Sequence, residues 1–115
     1  MIRVGVIGTG IMGAGHAKFL TNQVEGAVVT ALSDIDLDRA KKLADEIKTV
    51  KLITDNVDEL INSPEVDAII IVSPDPLHFE HLRKCLATDK FVLCEKPIAT
   101  TLEDAQTISN EIAAK

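Results

Sequence analysis

An apolar strand that runs straight into three regularly spaced glycines constrains this chain more than any other feature. Ile2-Arg3-Val4-Gly5-Val6-Ile7 is almost continuously hydrophobic, and Gly8-Thr9-Gly10-Ile11-Met12-Gly13 follows it directly, before helical periodicity sets in. A strand without polar alternation is expected to be covered on both faces. Gly8 permits a tight turn, Gly10 lets a bound phosphate group approach the backbone, and Gly13 lets the helix lie close to the strand. The helix start then offers free N–H groups and a partial positive charge to that anion. Without such a use, three glycines would only weaken the start of the helix.

The same alternation continues along the chain. Ile2 to Ile7 is followed by a helical segment at Ile11 to Gln23, Ala27 to Ser33 by Asp36 to Lys48, Val66 to Val72 by Pro76 to Thr88, and Lys90 to Cys94 by Thr101 to Ala114. A weaker strand at Val50 to Ile53 and a short helix at Val57 to Asn62 fill the middle, with Ser63-Pro64 as the turn into the next strand. Apolar runs alternating with helices predict parallel βαβ units. The expected fold is therefore α/β, a doubly wound parallel sheet of the Rossmann type in three αβα layers. The strands at 2–7 and 67–72 should be central. Asp75-Pro76 reads as a helix cap followed by proline at the first helical position, and either Thr100 with Glu103 or Thr101 with Asp104 can form a capping box. Leu102, Ala105, Ile108 and Ile112 share one face of the last helix, so that face is expected to pack.

With 115 residues, 46% of them hydrophobic, the chain suits one domain with a real core. Its net charge of −6 and scattered basic residues argue against nucleic acid and anionic membrane as partners. No apolar run approaches the roughly 18 to 20 residues of a membrane span, and nothing at Met1 reads as a signal peptide, so a cytoplasmic location is expected. Cys85 and Cys94 lack metal-ligand spacing to each other or to a histidine, which leaves them as small buried hydrophobes and predicts no metal site. With no Trp or Tyr and three Phe, the core must be aliphatic.

Three further positions carry chemistry. Asp34 ends the second strand 21 residues past Gly13, where a carboxylate can accept both hydroxyls of a ribose and repel a 2'-phosphate. Its neighbours are Ile35 and Asp36, and no arginine is nearer than Arg39, so the cofactor expected is NAD rather than NADP. Asp36 is the better cap for the following helix. Ser73-Pro74-Asp75-Pro76 leaves the strand at 67–72 on the carboxyl edge of the sheet, where its backbone should meet the cofactor, while Asp75 can both cap the next helix and touch the ribose. His78 either faces the site or is an ordinary helix histidine, and His16 and His81 read as the latter.

Glu95-Lys96-Pro97 stands on the same edge, just past the last strand. Lys96 is either a solvated loop lysine or a reactive cation beside the nicotinamide, where a positive neighbour would lower the pKa of a substrate hydroxyl. Glu95 can orient its ammonium group.

Taken together, Gly8 to Gly13, Asp34, Ser73-Pro74-Asp75 with His78, and Cys94-Glu95-Lys96-Pro97 followed by Ile98-Ala99-Thr100-Thr101 resemble the N-terminal domain of the Gfo/Idh/MocA oxidoreductases over the whole chain. Within that family, the stretch from His16 to Leu20-Thr21-Asn22, Glu25-Gly26-Ala27, Leu32-Ser33-Asp34-Ile35-Asp36 and Thr88-Asp89-Lys90-Phe91 are similar to inositol 2-dehydrogenases. The resemblance implies an NAD-binding Rossmann domain over residues 1–115, joined in the full-length enzyme to a substrate domain built on an open antiparallel sheet. It further implies cofactor contacts from Gly8, Thr9, Gly10, Ile11, Met12, Gly13, Asp34, Ile35, Ser73, Pro74, Asp75, His78, Glu95 and Lys96. Lys96 would contact substrate as well as cofactor, and the peptide bond before Pro97 would be cis. The general base of the family is a histidine supported by an aspartate in the second domain, outside these residues. Asp75 stands where many members carry Asn, and a carboxylate accepts from a ribose but cannot donate to it.

The function so implied is NAD-dependent oxidation of a ring hydroxyl of a cyclitol or sugar, myo-inositol foremost, by a full-length enzyme expected to be a homo-oligomer. Residues 1–115 alone should bind NAD without turnover. Two alternatives stay open: a non-catalytic NAD-sensing or subunit module, and a family enzyme acting on another polyol or aldose.

Overall fold

The alternation of apolar runs and helices is realised as five parallel strands in a computed structural model that describes residues 1–115. The elements are β1 (Ile2–Ile7), α1 (Ile11–Gln23), β2 (Ala27–Ser33), α2 (Leu37–Ile47), β3 (Leu52–Thr54), α3 (Val57–Ile61), β4 (Ala68–Ile71), α4 (His78–Leu86), β5 (Phe91–Cys94) and α5 (Leu102–Ala113), with a 3-10 turn at Asp75–Leu77 before α4. The sheet order is β3-β2-β1-β4-β5, so β1 is the middle strand and β4 lies between β1 and β5. Chain direction across the sheet reverses between β1 and β4, and a crevice opens there because the connections after these two strands diverge to opposite faces.

Successive strand residues point to opposite faces, which splits the core into two layers. Val4, Val6, Val29 and Leu32 pack under α1 and α2 with Ala17, Ala40, Leu43 and Ile47. Ile7, Ala31, Ile69 and Ile71 pack on the other face against Leu60 and Ile61 of α3, Leu82 and Cys85 of α4 and Ile108 of α5. Two polar ties hold the end of the sheet away from the crevice. Arg3 donates to both carboxylate oxygens of Asp67, at 3.0 and 2.9 Å, which holds that carboxyl down at about 2. Lys90 donates to the carbonyls of Ile61 and Ser63, closing the end of α3, and burial lowers its pKa.

The ends of several elements differ from the sequence expectation. β4 is shorter than Val66 to Val72, although Asp67 and Val72 still donate to Arg3 and Ile7 of β1. The weak strand lies at Leu52–Thr54 rather than Val50 to Ile53, where Ala31, Leu32 and Ser33 pair with it. The helix expected from Pro76 begins as a 3-10 turn, with Leu77 N donating to Pro74 O at 2.9 Å, and Asp75 does not cap it with its side chain. The N–H groups such a cap would take are used by the backbone instead, Leu77 N by Pro74 O and His78 N by Asp75 O.

Thr101 rather than Thr100 caps α5, accepting from Asp104 N at 3.1 Å. Only Ile108 on the expected apolar face of α5 is fully covered, while Leu102 is 85% exposed and Ile112 half exposed. Cys85 is buried, which pushes its thiol up to about 12, whereas Cys94 is only partly buried; both are free thiols. Phe91 and Leu93 are exposed on the edge strand β5. No helix is long and apolar enough to cross a membrane.

Candidate functional site

A groove of about 680 Å³ lies over the carboxyl ends of β1, β2 and β4. Its walls include Gly8, Gly10, Ile11 and Met12 from the glycine turn, Asp34 and Ile35 from the end of β2, and Ser73 and Pro74 after β4. These are eight of the expected contact residues, gathered from three loops far apart in sequence. Gly8 sits at φ 97°, a left-handed conformation that favours glycine, and packs directly on the chain at Val72 and Ser73. A Cβ on Gly10 would meet nothing within 4 Å, so the backbone at the start of α1 is open to the groove. Gly10 caps α1 without a side-chain hydrogen bond, leaving the first N–H groups of the helix to an outside acceptor.

Thr9 takes a different place from its glycine neighbours. It is buried, and both its N–H and its hydroxyl donate to Asp34 Oδ2, at 2.8 and 2.6 Å. The side chain therefore sets the carboxylate and does not line the groove.

Asp34 is 6% exposed and has more donors than the neighbours foreseen from sequence. Asp36 N donates to Oδ1 at 2.8 Å, and Arg39 reaches both oxygens, with Nη2 at 3.0 and 2.9 Å and Nε at 3.1 Å. Burial pushes this carboxyl up, but the bonds from Thr9, Asp36 and Arg39 outweigh it and leave it lowered and ionised at neutral pH. The roughly four acceptor positions of a carboxylate are thereby filled. Ribose hydroxyls would have to replace Arg39, whose side chain is half exposed. Arg39, separated from Asp34 in sequence, is thus part of the groove wall. The signal for it was the cap at Asp36, which fixes the phase of α2 and turns Arg39, three residues on, back over the end of β2.

Asp55, Val57, Leu77, Glu80 and His81 also line the groove and were not foreseen. His81, expected to be ordinary, is buried, and its Nδ1 lies 2.8 Å from the Ser73 hydroxyl. Desolvation lowers its pKa, so the ring is neutral at pH 7.

Gly13, Asp75, His78, Glu95 and Lys96 stand outside the groove wall. Asp75 is exposed, and its side chain makes no hydrogen bond. His78 is 1% exposed and faces the loops rather than the groove, with Nε2 2.6 Å from Ser73 O and Nδ1 2.5 Å from Pro97 O. Both contacts are hydrogen bonds together only when the ring carries both protons, since carbonyl oxygens only accept. Glu95 does not orient Lys96. Its carboxylate is 2.9 Å from Nε2 of His16, one turn into α1. Lys96 is exposed after β5 on the same sheet edge, with no ion-pair partner, and the Lys96–Pro97 peptide is cis as the resemblance implied.

The residues present fit a dinucleotide. The groove joins an open helix start to a buried, ionised carboxylate, and a lysine without a partner stands on the same sheet edge. Comparison with known proteins agrees with this geometry. The family model described as "Oxidoreductase family, NAD-binding Rossmann fold" matches residues 2–115. Inositol 2-dehydrogenase 1 of Saccharopolyspora erythraea is 41% identical over 97% of this chain and 34% of its own length. Inositol 2-dehydrogenase/D-chiro-inositol 3-dehydrogenase of Lacticaseibacillus casei is 39% identical over 100% of this chain and 33% of its own. Among solved structures, that of myo-inositol dehydrogenase from Lactobacillus casei in complex with NAD(H) and myo-inositol superposes with a TM-score of 0.95 at 40% identity, covering 100% of this chain and 34% of the other. The chain thus spans about a third of the length of these relatives.

Proposed function

Because this chain belongs to the Gfo/Idh/MocA oxidoreductases, whose NAD-binding Rossmann domain it matches almost from end to end, we propose that it is the cofactor domain of an NAD-dependent dehydrogenase that oxidises a ring hydroxyl of a cyclitol, myo-inositol foremost. The observation that carries the reading is Lys96, a lysine without an ion-pair partner on the same sheet edge as the groove. The names of the relatives support the substrate class.

The chain's own residues divide the work. The open backbone at Gly10 and the start of α1 hold the pyrophosphate, and Asp34, once Arg39 yields, accepts from the adenosine ribose. Ser73 and Pro74 close the groove along β4. Bound NAD supplies the acceptor for the hydride that leaves the alcohol carbon. Lys96 places a positive charge near the substrate hydroxyl, lowering its pKa so that its proton leaves as the carbon is oxidised. The base that takes the proton belongs, on this reading, to the remainder of the longer polypeptide.

The test is an assay of the complete polypeptide with NAD and myo-inositol beside residues 1–115 alone. NADH formation is expected from the first and NAD binding without NADH formation from the second. A complete polypeptide that binds NAD and oxidises neither myo-inositol nor another cyclitol would overturn the substrate class.

A further inference from the structure

We infer that His16 and His78 are positioning residues that fasten the Lys96 loop from both sides, so that α1 and the Ser73 loop together set where the ammonium group stands. The inference rests on the role just given to Lys96. The loop itself has little to hold it. Between Glu95 and Thr100 the only backbone–backbone hydrogen bond is Glu95 N to Ile71 O, at 3.0 Å. Regular ladder bonding resumes only at Ala105 N to Thr101 O, in the last helix. A segment so poorly bonded would let a long lysine side chain sample a wide volume, yet a reacting group displaced by even about 1 Å loses on the order of a hundredfold in rate.

The two residues that flank Lys96 are each held by a histidine. On one side, Nε2 of His16 is 2.9 Å from Glu95 Oε1. His16 lies three residues beyond Gly13, on the helix whose first turn borders the groove, so this contact joins the phosphate end of the site to the lysine loop. On the other side, Nδ1 of His78 is 2.5 Å from Pro97 O while its Nε2 is 2.6 Å from Ser73 O. The Ser73 hydroxyl in turn meets His81 at 2.8 Å, and Ser73 and His81 both line the groove. A chain of contacts, His81 to Ser73 to His78 to Pro97, thus runs from the groove wall to the residue after Lys96. The thiol of Cys94 adds only a weak 3.4 Å contact to Glu95 O.

A merely structural role fits His16 poorly. Its side chain is 31% exposed, as is that of Glu95, so water could satisfy both groups if they were apart. His78 is fully buried, and its substitution leaves two carbonyl oxygens to be satisfied, so a loss of stability there is ambiguous. His16→Leu is therefore the decisive variant and His16→Gln its conservative partner, because a glutamine amide reaches near the position of Nε2. At position 78, Asn retains a donor near Nδ1 and Gln one near Nε2.

The test has two arms. Backbone ¹⁵N relaxation of residues 95–99 in the 115-residue protein needs no turnover and no ligand. His16→Leu is expected to raise fast motion at Lys96 and Ile98, and His16→Gln to restore the wild-type values. In the complete enzyme, His16→Leu and His78→Gln should lower kcat about tenfold or more, while KM for NAD stays within about threefold and His16→Gln and His78→Asn recover most of the rate. Circular dichroism melts select the position-78 variants that fold. Unchanged relaxation together with unchanged kcat in His16→Leu would overturn the fastening. A wild-type enzyme without NAD-dependent turnover would instead refute the role of Lys96, and the relaxation arm would still decide whether the loop is fastened.

Discussion

Gly13→Ala is expected to destabilise this chain severely, whereas Gly10→Ala should leave the fold intact and damage only cofactor binding. The contrast follows from what each new methyl group would meet. A Cβ on Gly13 would lie 1.9 Å from Gly8 O, 2.8 Å from Gly8 C and 3.1 Å from Val72 Cγ2. The first two are backbone atoms of the turn that closes β1, so neither can rotate away. Relief requires α1 to lift off the sheet, which draws buried Ala17 and the partly buried Ala14 and Leu20 away from the core. The loss should be roughly 3 kcal/mol or more, a large share of the 5–15 kcal/mol that holds a domain together. Gly10 has φ −68° and open space around its Cβ position, so alanine fits there. That space borders the groove, and a methyl group in it should hold the phosphates off the helix start and weaken NAD binding about tenfold or more. Thermal melts and calorimetric titration check both halves. A Gly13→Ala protein that melts within a few degrees of wild type would show that the turn is looser than its geometry implies.

Lys96→Ala should have the largest effect on chemistry. In the complete enzyme, kcat is expected to fall by about 10² to 10⁴, the range typical of a lost group that assists proton transfer. NAD affinity should stay within about threefold, because Lys96 stands outside the groove wall. Lys96→Arg should rescue little, since a planar guanidinium places its charge and its donors differently from an ammonium. Steady-state kinetics with calorimetry separates the two quantities. A non-catalytic NAD sensor would be indifferent to both substitutions. A fall in NAD affinity matching the fall in rate would move Lys96 from chemistry to cofactor binding.

The scaffold was the more legible part of this protein. β1, α1 and β2 fall where periodicity and glycine punctuation set them, because the apolar run ends at the glycine turn and that turn fixes where the helix begins. The parts that were hidden are long-range or depend on fine backbone geometry. Nothing local announces that His16 reaches Glu95, which is 79 residues away in sequence; the contact exists because the sheet order sets the start of α1 near the end of β5. Arg39 lies five positions from Asp34 along the chain, and one turn of helix brings it directly onto the carboxylate. The 3-10 turn at Asp75–Leu77 was likewise hidden, because an aspartate before a proline looks the same in sequence whether or not its side chain caps. Composition and periodicity therefore located the groove, and the contacts that organise it came from topology.

Asp34 is the residue expected to set which cofactor the groove prefers. A 2'-phosphate would stand against a buried, ionised carboxylate, whereas the ribose hydroxyls of NAD can donate to it once Arg39 yields. Calorimetric titration of the 115-residue protein with NAD and with NADP is the most direct test of the central claim. NAD is expected to bind, and NADP to bind at least about tenfold more weakly, a difference of roughly 1.4 kcal/mol. Equal or tighter binding of NADP, or no binding of NAD, would contradict the assignment of this groove as an NAD site selected by Asp34.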